Sequence, residues 1–407
     1  MAAEHWLWLS AVQNVRPSAK LAALRHFGTP EALAAASEAE LAALPGLRPA
    51  EARHLADVRL DEAGQLLEAC LREDIAVLTL EDARYPRRLR CIADPPVVLY
   101  VLGALPRIDR LPAVGVVGTR RATPSGLETS RRLAAEIAAC GGLVVTGLAA
   151  GVDAAAAQGA LAAGGQVVGV LGTAVNEIYP RGSAPLFARV RETGALVSEH
   201  PPGHKARQWD FSARNRIISG LSAAVLVTEA PEKSGALITA GQAAAQGRGV
   251  FAVPGSAANA AAAGANALLR SGAQSALCGW DVMACLAERF PEHVHRPDGP
   301  VELPAEPICP PAARPTRTPR ASHPAAAASA PAPACTACTP EQLAALSEHQ
   351  RSIVAVMQRP CMHIDEIIES TGLPAPDVTA ELTVLQIAGI VSQQQGKHFT
   401  LCGGQTR

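Results

Sequence analysis

From residue 71 onward the chain alternates short apolar, β-branched runs with stretches of helical spacing. The runs 75–80 (IAVLTL), 97–102 (VVLYVL), 113–117 (AVGVV), 142–146 (GLVVT), 166–171 (QVVGVL), 195–198 (ALVS), 223–228 (AAVLVT) and 250–253 (VFAV) predict strands. Most of them lack a polar alternate, which is the signature of strands covered on both faces. Helical patterns fill most of the gaps after residue 125. The expected class is α/β, with a doubly wound, Rossmann-like parallel sheet across residues 71–290. Ligands of such sheets bind beyond the carboxyl ends of the strands, so the loops that follow the strands are where chemistry is expected.

The flanks follow other rules. Residues 1–70 predict a small domain of short helices, in which Leu44-Pro45-Gly46-Leu47 joins two apolar patterns as in a helix-hairpin-helix or SAM-like fold. Residues 291–340 hold 13 prolines and 12 alanines with almost no aliphatic periodicity, a composition that predicts a disordered linker. Residues 341–407 predict three helices, at 341–358, 363–371 and 376–388. Two short strands follow around Gln393-Gln394-Gln395-Gly396, which is a winged-helix pattern.

Composition then narrows the function classes. A chain of 407 residues, 48% hydrophobic and 18% charged, has room for two to four domains and is not globally disordered. No basic-then-apolar leader opens it and no long uninterrupted apolar run follows, so no membrane span is expected. Ten scattered cysteines suit a reducing, cytoplasmic setting rather than a disulfide framework. The net charge of −1 excludes a uniformly basic DNA-coating protein. The total conceals a partition: residues 71–290 carry 22 Lys/Arg against 17 Asp/Glu, while residues 1–70 and 341–407 are each −3.

Five loops carry candidate residues. Gly118-Thr119-Arg120-Arg121, running on to Gly126, follows a strand and opens a helix. Free N–H groups there, with two guanidinium groups, suit a phosphate, although the same residues also read as an ordinary strand–helix turn. Gly147 to Asp153 reads as a structural turn with Asp153 as a cap. Residues 198–222 place Lys205, Arg207, Arg214 and Arg216 among Trp209 and Phe211. Cations interleaved with aromatics suit single-stranded nucleic acid, cations tracking phosphates and rings stacking on bases. The alternative is a helix with a solvated basic face and a core Phe. Lys233, Ser234, Gly235 and Thr239 lie in another strand-to-helix loop, which also reads as a simple Ser cap. Asn266 and Arg270, after Val253-Pro254-Gly255-Ser256, complete the set.

No HExxH motif or nucleophile–base pair is legible, and the only zinc-type spacing is Cys335/Cys338 inside the linker. His200 and His204 read as isolated. No catalytic residue, metal or cofactor is expected, and the chain is read as a non-enzyme. The rival class is a nucleotide-processing, phosphoribohydrolase-like Rossmann enzyme. The Ser234–Ala240 loop resembles the glycine part of that motif but lacks its carboxylate, leaving Glu199 or Asp153 as substitute bases.

In order along the chain stand Tyr85-Pro86-Arg87-Arg88-Leu89, Asp94-Pro95-Pro96, the GTRRATPSG loop and Gly147-Leu148-Ala149-Ala150-Gly151-Val152-Asp153. Leu171-Gly172-Thr173, Tyr179-Pro180, Ser198-Glu199, Phe211 with Arg214-Asn215-Arg216-Ile217-Ile218, the SGALITA run and the Val-Pro-Gly-Ser loop follow. Together these resemble the DprA/Smf family, from about Tyr85 to Ala273. The resemblance implies a cytoplasmic, homodimeric protein of natural transformation that binds incoming single-stranded DNA, shields it from nucleases and helps load RecA past the single-strand-binding protein. It assigns the DNA pocket to Arg120, Phe211, Arg214, Asn215, Arg216, Ser234, Gly235 and Thr239, with Lys205 and Lys233 assisting. Ala150 and Ala157 stand where relatives often carry Arg and His. The third helix of the winged-helix region has no Lys or Arg, so protein contact rather than duplex reading is expected of it.

Overall fold

The computed structural model describes residues 2–303, 346–357, 362–387, 390–394 and 398–401. They fall into two compact units, one within Met1–Thr316 and one within Arg317–Arg407.

The first unit is built on a nine-stranded sheet: β1 (Ile75–Thr79), β2 (Val98–Gly103), β3 (Ala113–Val117), β4 (Leu143–Thr146), β5 (Val167–Val170), β6 (Ala195–Ser198), β7 (Ala224–Val227), β8 (Gly249–Ala252) and β9 (Gln274–Ser275). The spatial order is β1-β2-β6-β5-β4-β3-β7-β8-β9. From β6 to β9 neighbouring strands are parallel. All eight strands predicted from the pattern are present. The sheet is mixed rather than wholly parallel, because β1 and β2 pair antiparallel and β2 in turn joins β6 antiparallel, with Tyr100 opposite Ser198.

The unbroken apolar runs have their cause in two cores, one on each face. Val114, Val116, Val144, Ala224 and Leu226 point into one. Ala113, Val117, Val145, Val225 and Val227 point into the other. With a side-chain period of two, a strand sandwiched between helix layers must be apolar at every position.

Residues 2–72 form six helices. Their starts follow the local chemistry: Pro occupies the first turn at Pro17, Pro30 and Pro49, and Thr29 and Ser37 cap with their hydroxyls. The Leu44–Leu47 turn is present, with Gly46 at φ +82° and its carbonyl accepting from Arg16. These helices share a core with the sheet: Trp6, Leu7, Trp8 and Leu9 pack in the cluster that holds Tyr100 and Leu102. The Ser10 and Tyr100 hydroxyls hydrogen-bond at 2.6 Å.

The first stretch of the expected linker is packed on this unit. Val294 lies against the core and the His295 amide donates to the Cys140 carbonyl. Residues 304–340, with Cys335 and Cys338, lie outside the described residues.

In the second unit three helices, Glu348–Val356, Ile364–Thr371 and Ala375–Ile387, enclose a small core with Ile353, Ile367, Val378, Leu382 and Leu385. A three-stranded antiparallel sheet flanks them: β10 (Met362–His363), β11 (Val391–Gln394) and β12 (His398–Leu401), in the order β10-β12-β11. This is the winged-helix arrangement; the short β10 was not foreseen. Among the described residues, no helix of either unit is long and apolar enough to cross a membrane.

Candidate nucleic-acid interface

β4 and β5 end side by side, and Arg214 lies beneath their carboxyl ends, 4% exposed. Its Nη1 donates to the Gly147 carbonyl at 2.8 Å and to the Val170 carbonyl. A Cβ at Gly147 would lie 2.5 Å from Arg214 Nη2, so any side chain there displaces the guanidinium. Asp153, also buried, accepts the Gly147 amide at 3.1 Å. Burial pulls the Arg214 guanidinium down to about 10, partly offset by Asp153, and burial pushes Asp153 up, partly offset by Arg214. Arg214 thus stays cationic at neutral pH but is bound to the protein's own carbonyls.

Above this floor lies a cleft of about 120 Å³, lined by Arg120, Ala150, Gly172, Tyr179, Phe211 and Arg214 among others. Phe211 backs onto Gly172, where a Cβ would stand 2.8 Å from the ring. The exposed Arg120 holds its guanidinium 5.4 Å from the Phe211 centroid. Tyr179, 57% exposed, lies 5.5 Å from the same ring at 47°. A cation and two rings therefore share one rim, and a cation over an aromatic face stays free to meet an anion. Sequence reasoning left Tyr179 out of the site; the signal was a tyrosine on a loop beyond a strand's carboxyl end.

The helix start after β3 differs from expectation. The order of strands reverses between β3 and β7, which is where a phosphate was expected. There Glu229 accepts from the Thr123 amide at 2.8 Å and the Thr123 hydroxyl at 2.6 Å. Thr123 in turn caps Gly126. The Thr123 and Gly126 N–H groups and the positive helix end are met by the protein's own carboxylate and hydroxyl. The Thr119 amide donates to the Glu229 carbonyl, the Thr119 hydroxyl accepts the Arg121 amide, and Gly118 is wedged between Val152 and Glu229. Arg121 is exposed.

Of the other candidates, Arg216 requires correction. It is 7% exposed and forms a two-pronged pair with Glu199, at 2.8 and 2.6 Å, plus a bond to the Asp94 carbonyl. Burial raises the Glu199 carboxyl, but Arg216 more than offsets this and holds it at about 2. Arg216 is therefore no free phosphate ligand, and Glu199, a substitute base of the rival enzyme reading, is committed to it. Thr239 is likewise buried, at 1% exposure. Asn215 donates to the Gly235 carbonyl at 3.3 Å, Ser234 caps its helix, and Asn266 exchanges two bonds with the Gly255 backbone. Gly235, Lys205, Lys233 and Arg270 are exposed and are not among the residues lining the cleft. Trp209, 62% exposed, parts from Phe211: with Arg207 5.0 Å from its ring, it lines a separate cavity against the N-terminal helices. His200 and His204, read as isolated, stack at 4.1 Å beside Asp210.

A family model described as DNA recombination-mediator protein A matches residues 76–287, and one described as the DprA winged helix domain matches residues 337–397. Protein Smf of Synechocystis is 36% identical over 342 residues, 82% of each chain. A putative DNA processing protein DprA of Mycobacterium tuberculosis is 32% identical over 421 residues, covering 99% of this chain and 95% of that one. The X-ray structure of DNA processing protein A from Streptococcus pneumoniae superposes with a TM-score of 0.61 at 29% identity, covering 69% of this chain and 97% of that one. By the family model over its sheet and by a relative matched over most of its length, the chain belongs to the DNA recombination-mediator protein A family, DprA/Smf.

Proposed function

We propose that this protein binds single-stranded DNA across the Arg120–Phe211–Tyr179 rim and acts as a mediator of recombination, handing the strand to RecA in the presence of single-strand-binding protein. The observation that carries the reading is the rim itself: one exposed guanidinium and two rings gathered over a cationic floor. Rings stack on bases of any sequence and guanidinium groups meet phosphates, which is what sequence-tolerant single-strand binding requires. The +5 charge of residues 71–290 favours approach of a polyanion. Action as a homodimer in the cytoplasm, and a protein-contact role for the winged helix, complete the proposal. So does the domain division at residues 70 and 340; the expected boundary at 290 falls short of Val294 and His295, which pack on the sheet unit.

The test is a low-salt binding assay with single- and double-stranded oligonucleotides, followed by addition of RecA to single strands coated with single-strand-binding protein. The reading expects preference for the single strand and faster RecA filament growth. Equal affinity for duplex would reject the rim as a stacking platform, and unchanged filament growth would reject mediation.

A further inference from the structure

We propose that His200, His204 and Asp210 form a binding site for a divalent transition-metal ion of the Zn²⁺ kind. The three offer one ligand atom each, and these atoms lie within 4.8 Å of one another. Tetrahedral zinc ligands with bonds of about 2.0–2.1 Å stand about 3.4 Å apart, so closing the site takes a shift on the order of 1 Å and a turn of one imidazole out of the stack, which brings both in-plane lone pairs onto one ion. Asp210 Oδ2 already lies 2.9 Å from His204 Nε2, and the two imidazoles are stacked at 4.1 Å, 8° from parallel.

The second observation is an orphan. His200 Nε2 is buried and has no hydrogen-bond partner, although buried ring nitrogens normally find one. A metal ion at the ring edge, in the plane of the His200 imidazole, supplies that partner. Two imidazoles and one carboxylate suit zinc and its neighbours, whereas Mg²⁺ and Ca²⁺ prefer oxygen alone. The Arg207 amide donates to Asp210 Oδ2 at 2.8 Å and holds the carboxylate, and the His200 amide donates to Ser198 Oγ at 3.0 Å and fixes the backbone that carries the ring. The site opens on a cavity of about 520 Å³ against the N-terminal helices, through which water can fill the fourth position. Asp210 faces His200 with negative charge and Lys20 with positive charge, while the Glu199 carboxylate is paired with Arg216. Lys20 Nζ is itself tied to the Ser10 carbonyl at 2.7 Å.

A bound ion joins the Pro201–Gly203 turn to the start of the helix Gln208–Ala213, which carries Phe211 on its other side. The expectation that the ion steadies the rim rests on the DNA reading above; the binding of metal does not.

The test uses the full chain, stripped of metal and kept reduced, titrated with Co²⁺ and then Zn²⁺. A His–Asp site gives visible Co²⁺ bands without the near-ultraviolet band of cysteine ligation, displaced by one equivalent of Zn²⁺. The bands persist in the Cys335→Ser/Cys338→Ser variant and vanish in His204→Gln, whose amide nitrogen matches Nε2 and can keep the bond to Asp210. Zn²⁺ also raises the Tm of wild type but not of His204→Gln. Bands or a Tm shift that survive His204→Gln, or a Co²⁺ spectrum that is wholly thiolate in character, would overturn the proposal.

Discussion

Replacing Phe211 by Leu separates stacking from charge. The ring backs onto Gly172 and faces Arg120 and Tyr179 on its open side. Leu keeps most of the apolar contact with the backbone and, at a half-buried site, leaves the fold in place. What is lost is a π-face for one base, about 1–3 kcal/mol by the usual cost of truncating a stacking aromatic. At about 0.59 kcal/mol for RT, that predicts roughly 5- to 150-fold weaker binding of a single-stranded oligonucleotide. No phosphate contact is removed, so the dependence of log K on log salt keeps its slope. Arg120→Gln provides the contrast: it removes one phosphate contact, and the slope falls by about 0.7. Fluorescence anisotropy with labelled oligo-dT, repeated over a salt series, reads both quantities. Wild-type affinity in Phe211→Leu would refute the stacking role, and a slope change in that variant would show that the substitution displaced Arg120 as well.

Other perturbations follow from the same geometry. Ala150 lines the cleft, so Ala150→Arg adds a cation there; tighter single-strand binding and a slope steeper by about 0.7 are expected from the same salt series. Gly147→Ala drives a Cβ to 2.5 Å from Arg214, and chemical denaturation should show a loss of about 1–3 kcal/mol together with weakened DNA binding. Glu199→Gln leaves the buried Arg216 with only the Asp94 carboxylate, 3.5 Å away, as counter-charge, at an expected cost of up to about 3–5 kcal/mol by the same method. The Glu199 carboxyl is held at about 2, below its unfolded value, so its stabilisation is full above the unfolded pKa and is lost as pH falls toward 2. Acid titration of Glu199→Gln should therefore show a shallower loss of stability over that interval than wild type.

The strands were legible because an apolar run between helical patterns leaves little choice; β6 spans residues 195–198 as expected. Strand direction was not legible. The apolar run 97–102 satisfies a central strand of either sense, and only its pairing with β1 and β6 shows it to be antiparallel. The candidate cations divided for a helical reason. Arg214 and Arg216 are two residues apart, about 200° around a helix, so they face opposite ways: one under the cleft, the other to Glu199. Trp209 and Phe211 part company by the same rotation. Spacing alone showed a cluster; the helix splits it between two cavities. Glu229 was missed because the carboxylate that fills the helix start after β3 comes from 106 residues further along the chain. The stacked histidines were missed for a related reason: a Pro-Pro-Gly turn folds His204 back onto His200, and sequence reading has no measure of such a reversal.

Single-stranded DNA seated on the Arg120–Phe211–Tyr179 rim lays its bases within reach of both rings. Photo-crosslinking of the full chain to an oligonucleotide carrying a photoreactive thymine analogue, with the adducts mapped by mass spectrometry, reads that contact without inference from affinity. DNA seated on the rim gives adducts on the peptides that carry Phe211 and Tyr179, lost in Phe211→Leu. Adducts confined to residues 346–401, or to the N-terminal helices, with the rim untouched, would contradict it.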